Sequence, residues 1–272
     1  MTVNEIEAPG SLCVITAAGI EFKTVAKLLL AGTPTDENGL KVLRGRFGAR
    51  QVTLLKTEIG AAGLAEKLQA HLAQNHFAAL VIIGLAGALD PALRTSDVVL
   101  YDRCLDGRKL EAAWRDGKFE KRSTSEASGG GIPCDDALGQ KLFEEFGKQG
   151  LRCQRGAGLL VERVVIEARL KQALHEQTEA AAVDMETYLV LAATAEFQLP
   201  CAAVRVMLDE AASDLPDFNA GLDAAGRVQL WPTLRALARR PHATLQFLRT
   251  LRPALRNLTR AAEAVFNVLN SR

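Results

Sequence analysis

The sequence predicts an α/β sandwich on a largely parallel sheet. Short apolar runs, long enough for strands buried on both faces, alternate with segments of helical periodicity along most of the 272 residues. The stretch from Ala180 to Asp209 reads as strand, helix, strand, with a carboxylate wherever a strand hands over to the next element. A hydrophobic fraction of 48% supports a sizeable core, and the length fits one domain or a large domain with an appendage.

In chain order, Ser11 to Ala17 is a first buried strand, and Ala18-Gly19-Ile20-Glu21 turns into a helix reaching about Leu30. Glu21 falls in the first helical turn, where a carboxylate is favoured. Ala31 to Gly39 is expected to be a loop, and Arg44, Arg46 and Arg50 form a basic cluster around Gly45 and Gly48. Gln51 to Lys56 is a second strand, and Ile59-Gly60 opens a helix to about Gln74. Ala78 to Ile83 is a third strand, with the small-residue segment Gly84 to Ala88 expected as a loop. A fourth strand spans Asp97 to Tyr101; residues 104–135 are polar, with a flexible Ser123 to Gly131. A helix follows over Asp136 to Gln149, a strand over Gly158 to Val165 and a helix over Glu167 to Gln177.

Ala180 to Val183 is then a short strand ending on Asp184-Met185-Glu186. Thr187 to Phe197 is helical and is stopped by Leu199-Pro200. Cys201 to Leu208 is apolar apart from Arg205 and ends on Asp209. Ligands of open α/β sheets bind beyond the carboxyl ends of the strands, so Glu186 and Asp209 are candidate walls of one site.

Composition excludes several classes. A net charge of +1 gives no global field for nucleic acid, and four histidines without ligand spacing argue against a metal site. Five scattered cysteines without a C-x-x-C pair suggest a reducing compartment. The first ten residues lack the apolar core of a signal peptide, and no apolar stretch reaches the ~18 residues of a membrane span. A cytoplasmic protein is expected.

From Pro232 to Arg260 there are seven arginines and no Asp or Glu. Leu248, Leu251, Leu255 and Leu258 make an apolar face beside an arginine stripe, with a kink expected at Pro253. Such a segment either lies on an anionic membrane or packs its apolar face on the core or a partner subunit.

The segments ITAAGIEF (15–22), VTLLKTEIG (52–60), VIIGLAGALDPALRTSDVVL (81–100), AVDMET (182–187) and VRVMLD (204–209) together resemble the purine nucleoside phosphorylase and nucleosidase superfamily. The resemblance is nearest the methylthioadenosine/S-adenosylhomocysteine nucleosidase branch. It implies a three-layer α/β/α sandwich with a mostly parallel mixed central sheet, and an enzyme that cleaves the N-glycosidic bond of a nucleoside. By position it implies Asp209 as general acid to the purine and Glu21 as the carboxylate that activates water. Glu186 would hold the ribose hydroxyls, Met185 would pack on the sugar, and Ala86, Gly87 and Val183 would border the nucleoside. No cofactor is implied. Inorganic phosphate is an alternative nucleophile, for which Arg44 and Arg46 could supply guanidinium contacts across a subunit interface. A homodimer is expected, as in the family.

Two positions depart from the pattern. Leu208 stands where relatives often carry Ser, and Leu85 where Ser or Thr is usual, removing hydrogen bonds near base and nucleophile. The tail segment LWPTLRALARRPHATLQFLRTLRPAL (230–255) resembles the hopanoid-biosynthesis phosphorylase branch, which implies adenosylhopane, a lipid-linked nucleoside, as substrate. It would also imply peripheral contact with the inner face of the cytoplasmic membrane. The expected division is a catalytic domain over 1–228 and a basic helical extension over 229–272. A salvage nucleosidase and a nucleoside-binding protein without turnover remain the alternatives.

Overall fold

The computed structural model describes residues 10–57, 63–118, 131–217, 219 and 241–270. The first half comprises β1 (Ser11–Thr16), α1 (Gly19–Ala26), β2 (Leu30–Ala31), β3 (Thr35–Glu37), β4 (Leu40–Phe47), β5 (Arg50–Lys56), α2 (Leu64–Ala73), β6 (Phe77–Ala88) and β7 (Val98–Asp106). There follow α3 (Arg108–Arg115), β8 (Ile132–Pro133), α4 (Asp136–Lys148), β9 (Cys153–Leu160), α5 (Ala168–Thr178) and β10 (Ala182–Asp184). The chain continues with α6 (Thr187–Thr194), a 3-10 turn at Ala195–Phe197, β11 (Cys201–Asp209) and α7 (Pro241–Asn270).

The strands form one mixed sheet in the order β10-β9-β7-β11-β6-β1-β5-β4-β2, giving the α/β sandwich expected. Alternation along the strands separates two cores. Leu12, Val14, Val81, Ile83, Val204 and Val206 face α1, α4 and α7, whereas Cys13, Ile15, Leu80, Ile82 and Ala203 face α2 and α6. Successive side chains of a strand point to opposite faces, so each of these runs must be apolar throughout.

β6 is the spine of the sheet. Its first half runs parallel between β1 and β11, with Leu80 opposite both Cys13 and Cys201. Its second half leaves β1 behind and stays with β11, Gly84 opposite Arg205 and Gly87 opposite Asp209. The end of β6 then pairs antiparallel with β10, placing Val183 opposite Gly87. The strands β10, β9, β7, β11 and β6 therefore close on themselves.

The segment Gly84 to Ala88, expected as a loop, is thus strand. Its small residues mark close approach rather than a turn. A Cβ on Gly84 would lie 2.6 Å from Arg205 Nη1 and 2.8 Å from Glu21 Oε1. Other boundaries move too. The expected loop 31–39 contains β3, and the arginine cluster sits on β4, an antiparallel partner of β5 that a Lys/Arg-interrupted pattern concealed. The strand expected at 158–165 is Cys153–Leu160, the one at 97–101 runs to Asp106, and α3 lies within the polar segment. Residues 59–60, 123–130 and 229–240 fall outside the described residues.

Helix α7 continues through Pro253. Leu258, Ala261, Ala262, Val265, Phe266 and Leu269 are buried in the core shared with α1 and α4. Phe266 packs on Phe47 with ring centroids 5.0 Å apart, and Asn257 Nδ2 donates to the Ser96 carbonyl at 2.9 Å. Arg249, Arg252 and Arg256 are exposed. The apolar face expected from leucine spacing leaves the core toward the start of the helix, where Leu248 is 52% exposed. No described helix is long and apolar enough to cross a membrane.

Candidate active site

The parallel strands β1, β6 and β11 bring their carboxyl ends to one edge, where β10 joins antiparallel to the end of β6, and a cavity of about 350 Å³ opens there. Glu21, Asp184, Glu186, Asp209 and the exposed Arg163 line it on the polar side. Val164, Val165, Leu215, Phe247 and Leu251 supply an apolar wall, the last two from α7.

Asp209 owes its aim to an irregularity. The pairing of β11 with β6 shifts register between Met207 and Asp209, skipping Leu208. In a regular strand adjacent side chains point to opposite faces, but here both Leu208 and Asp209 line the cavity, as a bulge permits. Gly87 lies across from the acid, and a Cβ there would sit 3.3 Å from Asp209 Oδ1 and 3.2 Å from Val183 Cγ1. Burial pushes the Asp209 carboxyl up from its ordinary 3.8 to about 6, with the charge and hydrogen bond of Lys171 opposing the rise.

Lys171, on α5, is buried beneath the acid. Its ammonium donates to Asp209 Oδ2, to the Ser213 carbonyl at 2.7 Å and to the Glu210 carbonyl at 3.1 Å.

Glu21 is fixed by the backbone it helps to start. Its Oε2 accepts the N–H groups of Ala17 at 3.1 Å and Ala18 at 2.9 Å, as a carboxylate in the first turn of α1 can. Its Oε1 accepts the Leu85 N–H at 2.7 Å. A carboxylate has about four acceptor sites, so roughly one remains for a ligand in the cavity. Burial raises its pKa above the ordinary carboxylate value, against the pull of Arg205 and of these three N–H donors.

Arg205 lies under the floor and ties it together. Its Nε is 3.1 Å from Asp184 Oδ2, its Nη2 is 3.6 Å from Glu186 Oε2, and it donates to Thr187 Oγ1 at 2.7 Å. Burial alone would lower its pKa, but Asp184 and Glu186 outweigh that and hold the guanidinium above its ordinary value. Asp184 Oδ1 also accepts the N–H groups of Glu186 and Thr187, setting the turn that begins α6.

The structure therefore brings Glu21, Met185, Glu186, Ala86, Gly87, Val183 and Asp209 to one cavity. It does not bring Arg44 or Arg46 there within one chain. Arg44 is engaged by Glu37, its Nη2 donating to Oε2 at 2.8 Å. Lys171, Asp184, Arg205 and the α7 wall were not anticipated. The signal for Arg205 was the one charge in an otherwise apolar strand. For Lys171 it was a helical register shared with Leu174 and Thr178, both buried.

Among known proteins, the family described as the Phosphorylase superfamily matches residues 11–229. A 5'-methylthioadenosine/S-adenosylhomocysteine nucleosidase of Marinomonas sp. (strain MWYL1) is 29% identical over 175 residues, which is 63% of this chain and 74% of that protein. The crystal structure of a nucleosidase of the same description from Neisseria meningitidis, in complex with methylthio-immucillin-A, is similar at a TM-score of 0.67. It is 15% identical, and the match covers 97% of this chain and 100% of that one. A futalosine hydrolase mutant of Helicobacter pylori strain 26695 is similar at 0.66 and 14% identity, with the same coverage of 97% and 100%. At these identities the two structures speak for the fold.

Proposed function

The chain belongs to the phosphorylase superfamily, and from that membership we propose that it cleaves the N-glycosidic bond of an adenosine-type nucleoside and releases adenine. The observation that carries this reading is Asp209: a buried carboxyl with a pKa of about 6, beside Gly87, in a cavity shared with Glu21 and Glu186. Cleavage leaves electrons on the purine, and a carboxylic acid that keeps its proton up to about pH 6 can neutralise them. Glu186, oriented by Arg205, would accept the ribose hydroxyls, with Met185 against the sugar. Glu21, held rigidly with acceptor capacity to spare, would take a proton from the attacking water.

Water is the nucleophile that the charges favour. Four carboxylates and the exposed Arg163 line the cavity, and the two buried cations beside them, Arg205 and Lys171, are already paired. A phosphate dianion would be repelled by Glu21, Asp184 and Glu186. Phosphorolysis would need cations beyond Arg163, such as Arg44 and Arg46 of a second copy in a homodimer.

The finer reading concerns the 5′ substituent. The wall beyond the carboxylates is apolar and is completed by Phe247 and Leu251, next to the exposed Leu245 and Leu248 and the exposed Arg249 and Arg252. Such a rim suits an apolar 5′ group delivered from an anionic lipid surface, as adenosylhopane at the inner face of the cytoplasmic membrane would be. The name of the Marinomonas relative supports the second reading, a methylthioadenosine or S-adenosylhomocysteine nucleosidase. Incubation with methylthioadenosine and, separately, adenosylhopane in liposomes, each with and without phosphate, decides among them by chromatography of adenine. Release from the lipid nucleoside alone supports the finer reading, and prompt release from methylthioadenosine supports the second. Phosphate dependence would overturn water as nucleophile.

A further inference from the structure

We propose that Lys171 is the positioning residue of the acid: its ammonium pins Oδ2 of Asp209, so that Oδ1 is the oxygen that carries the proton into the cavity. The inference rests on the reading of Asp209 as general acid.

Lys171 is fully buried on α5 and does not line the cavity. An ammonium has three N–H donors, and all three acceptors are protein atoms: Asp209 Oδ2, the Glu210 carbonyl and the Ser213 carbonyl. None is left for a substrate. With Oδ2 so occupied, the other oxygen is the free one, and it faces Gly87, where β6 puts no side chain against it. The same three bonds hold the turn after β11, whose next residues carry Leu215 to the cavity wall.

The charge also sets when the acid works. Of the neighbours facing Asp209, Val183 and Gly87 are uncharged, while Glu210, next in the chain and paired with Arg94 at 3.3 Å, adds to the upward push of burial. Among the described residues Lys171 is the one cation opposing the burial of the carboxyl. In the reaction the proton passes from Oδ1 to a purine ring nitrogen as the C1′–N bond breaks with its electron pair going to the base. Lys171 keeps its protons and stabilises the carboxylate left behind.

Lys171→Met removes the charge and the pin. The alkaline fall of kcat/KM should move up by about one pH unit or more, because an adjacent cation lowers a carboxyl by that order. At the wild-type optimum kcat should fall at least about tenfold with KM little changed, since only placement of the proton is lost. Lys171→Arg should restore the wild-type limb, and Lys171→Gln, which keeps donors without charge, should shift it like Met and replaces Met if that variant does not fold. Infrared titration of the protonated carboxyl, assigned by its disappearance in Asp209→Asn, follows the same coupling without turnover. A wild-type protein that releases no adenine defeats the functional reading, while the infrared midpoint still reports on Lys171. An unchanged midpoint in the Met or Gln variant overturns the inference.

Discussion

Raising the pH above about 6 should switch the reaction off by stripping the proton from Asp209. The sign follows from the role: a general acid works protonated, so activity is present below the folded-state pKa and is lost as pH rises through it. A group titrating at about 6 is about one-tenth protonated at pH 7 and about one-hundredth at pH 8, so kcat/KM should drop about tenfold per unit over that range. The assay is initial-rate adenine release at subsaturating nucleoside in buffers of constant ionic strength. Asp209→Asn supplies the control. It keeps the shape of the side chain but cannot donate the same proton, and the limb should vanish along with about 10²–10⁴ of the rate. A wild-type profile flat from pH 6 to 8, or an Asn variant that keeps the limb, would refute the assignment of Asp209 as the acid.

Other perturbations test the scaffold. Arg205→Met strands Asp184 and Glu186 without their buried cation and should cost about 3–5 kcal/mol in urea unfolding. Gly84→Ala drives a methyl onto the guanidinium of Arg205 and the carboxylate of Glu21, so about 1–3 kcal/mol of stability and most turnover should be lost together. Glu21→Gln should lower kcat by about 10²-fold or more without changing nucleoside affinity, measured by calorimetry on the inactive variant. Phe266→Ala removes a buried ring packed on Phe47 and should cost about 3–5 kcal/mol; an unchanged melting curve would mean that α7 is not part of the core.

Much of this was legible in the sequence, for reasons that differ by element. Runs such as SLCVIT and AALVII are apolar on both faces and can be little other than central strands. The carboxylates at their ends follow from the general geometry of α/β sheets, and the ordered motifs supplied roles. What escaped depends on long-range partners. Gly84 to Gly87 reads as a turn until β11 and β10 are placed beside it, because a small residue looks alike whether it bends the chain or admits Arg205 and Glu21. The bulge that turns Asp209 inward leaves no local mark. The pairing of Lys171 with Asp209 spans 38 residues, and periodicity cannot see it. The C-terminal helix offered an apolar face, but nothing in its own spacing says that Leu258 and Phe266 lie in the core while Phe247 and Leu251 wall a cavity.

The most direct test of N-glycosidic cleavage is to mix the purified protein with methylthioadenosine or adenosylhopane in liposomes and follow free adenine by chromatography, beside Asp209→Asn at equal concentration. Adenine released from at least one substrate by the wild type, and slower by about 10²-fold or more in the variant, is the expected result. No adenine from either substrate, or equal rates in the two proteins, would contradict it.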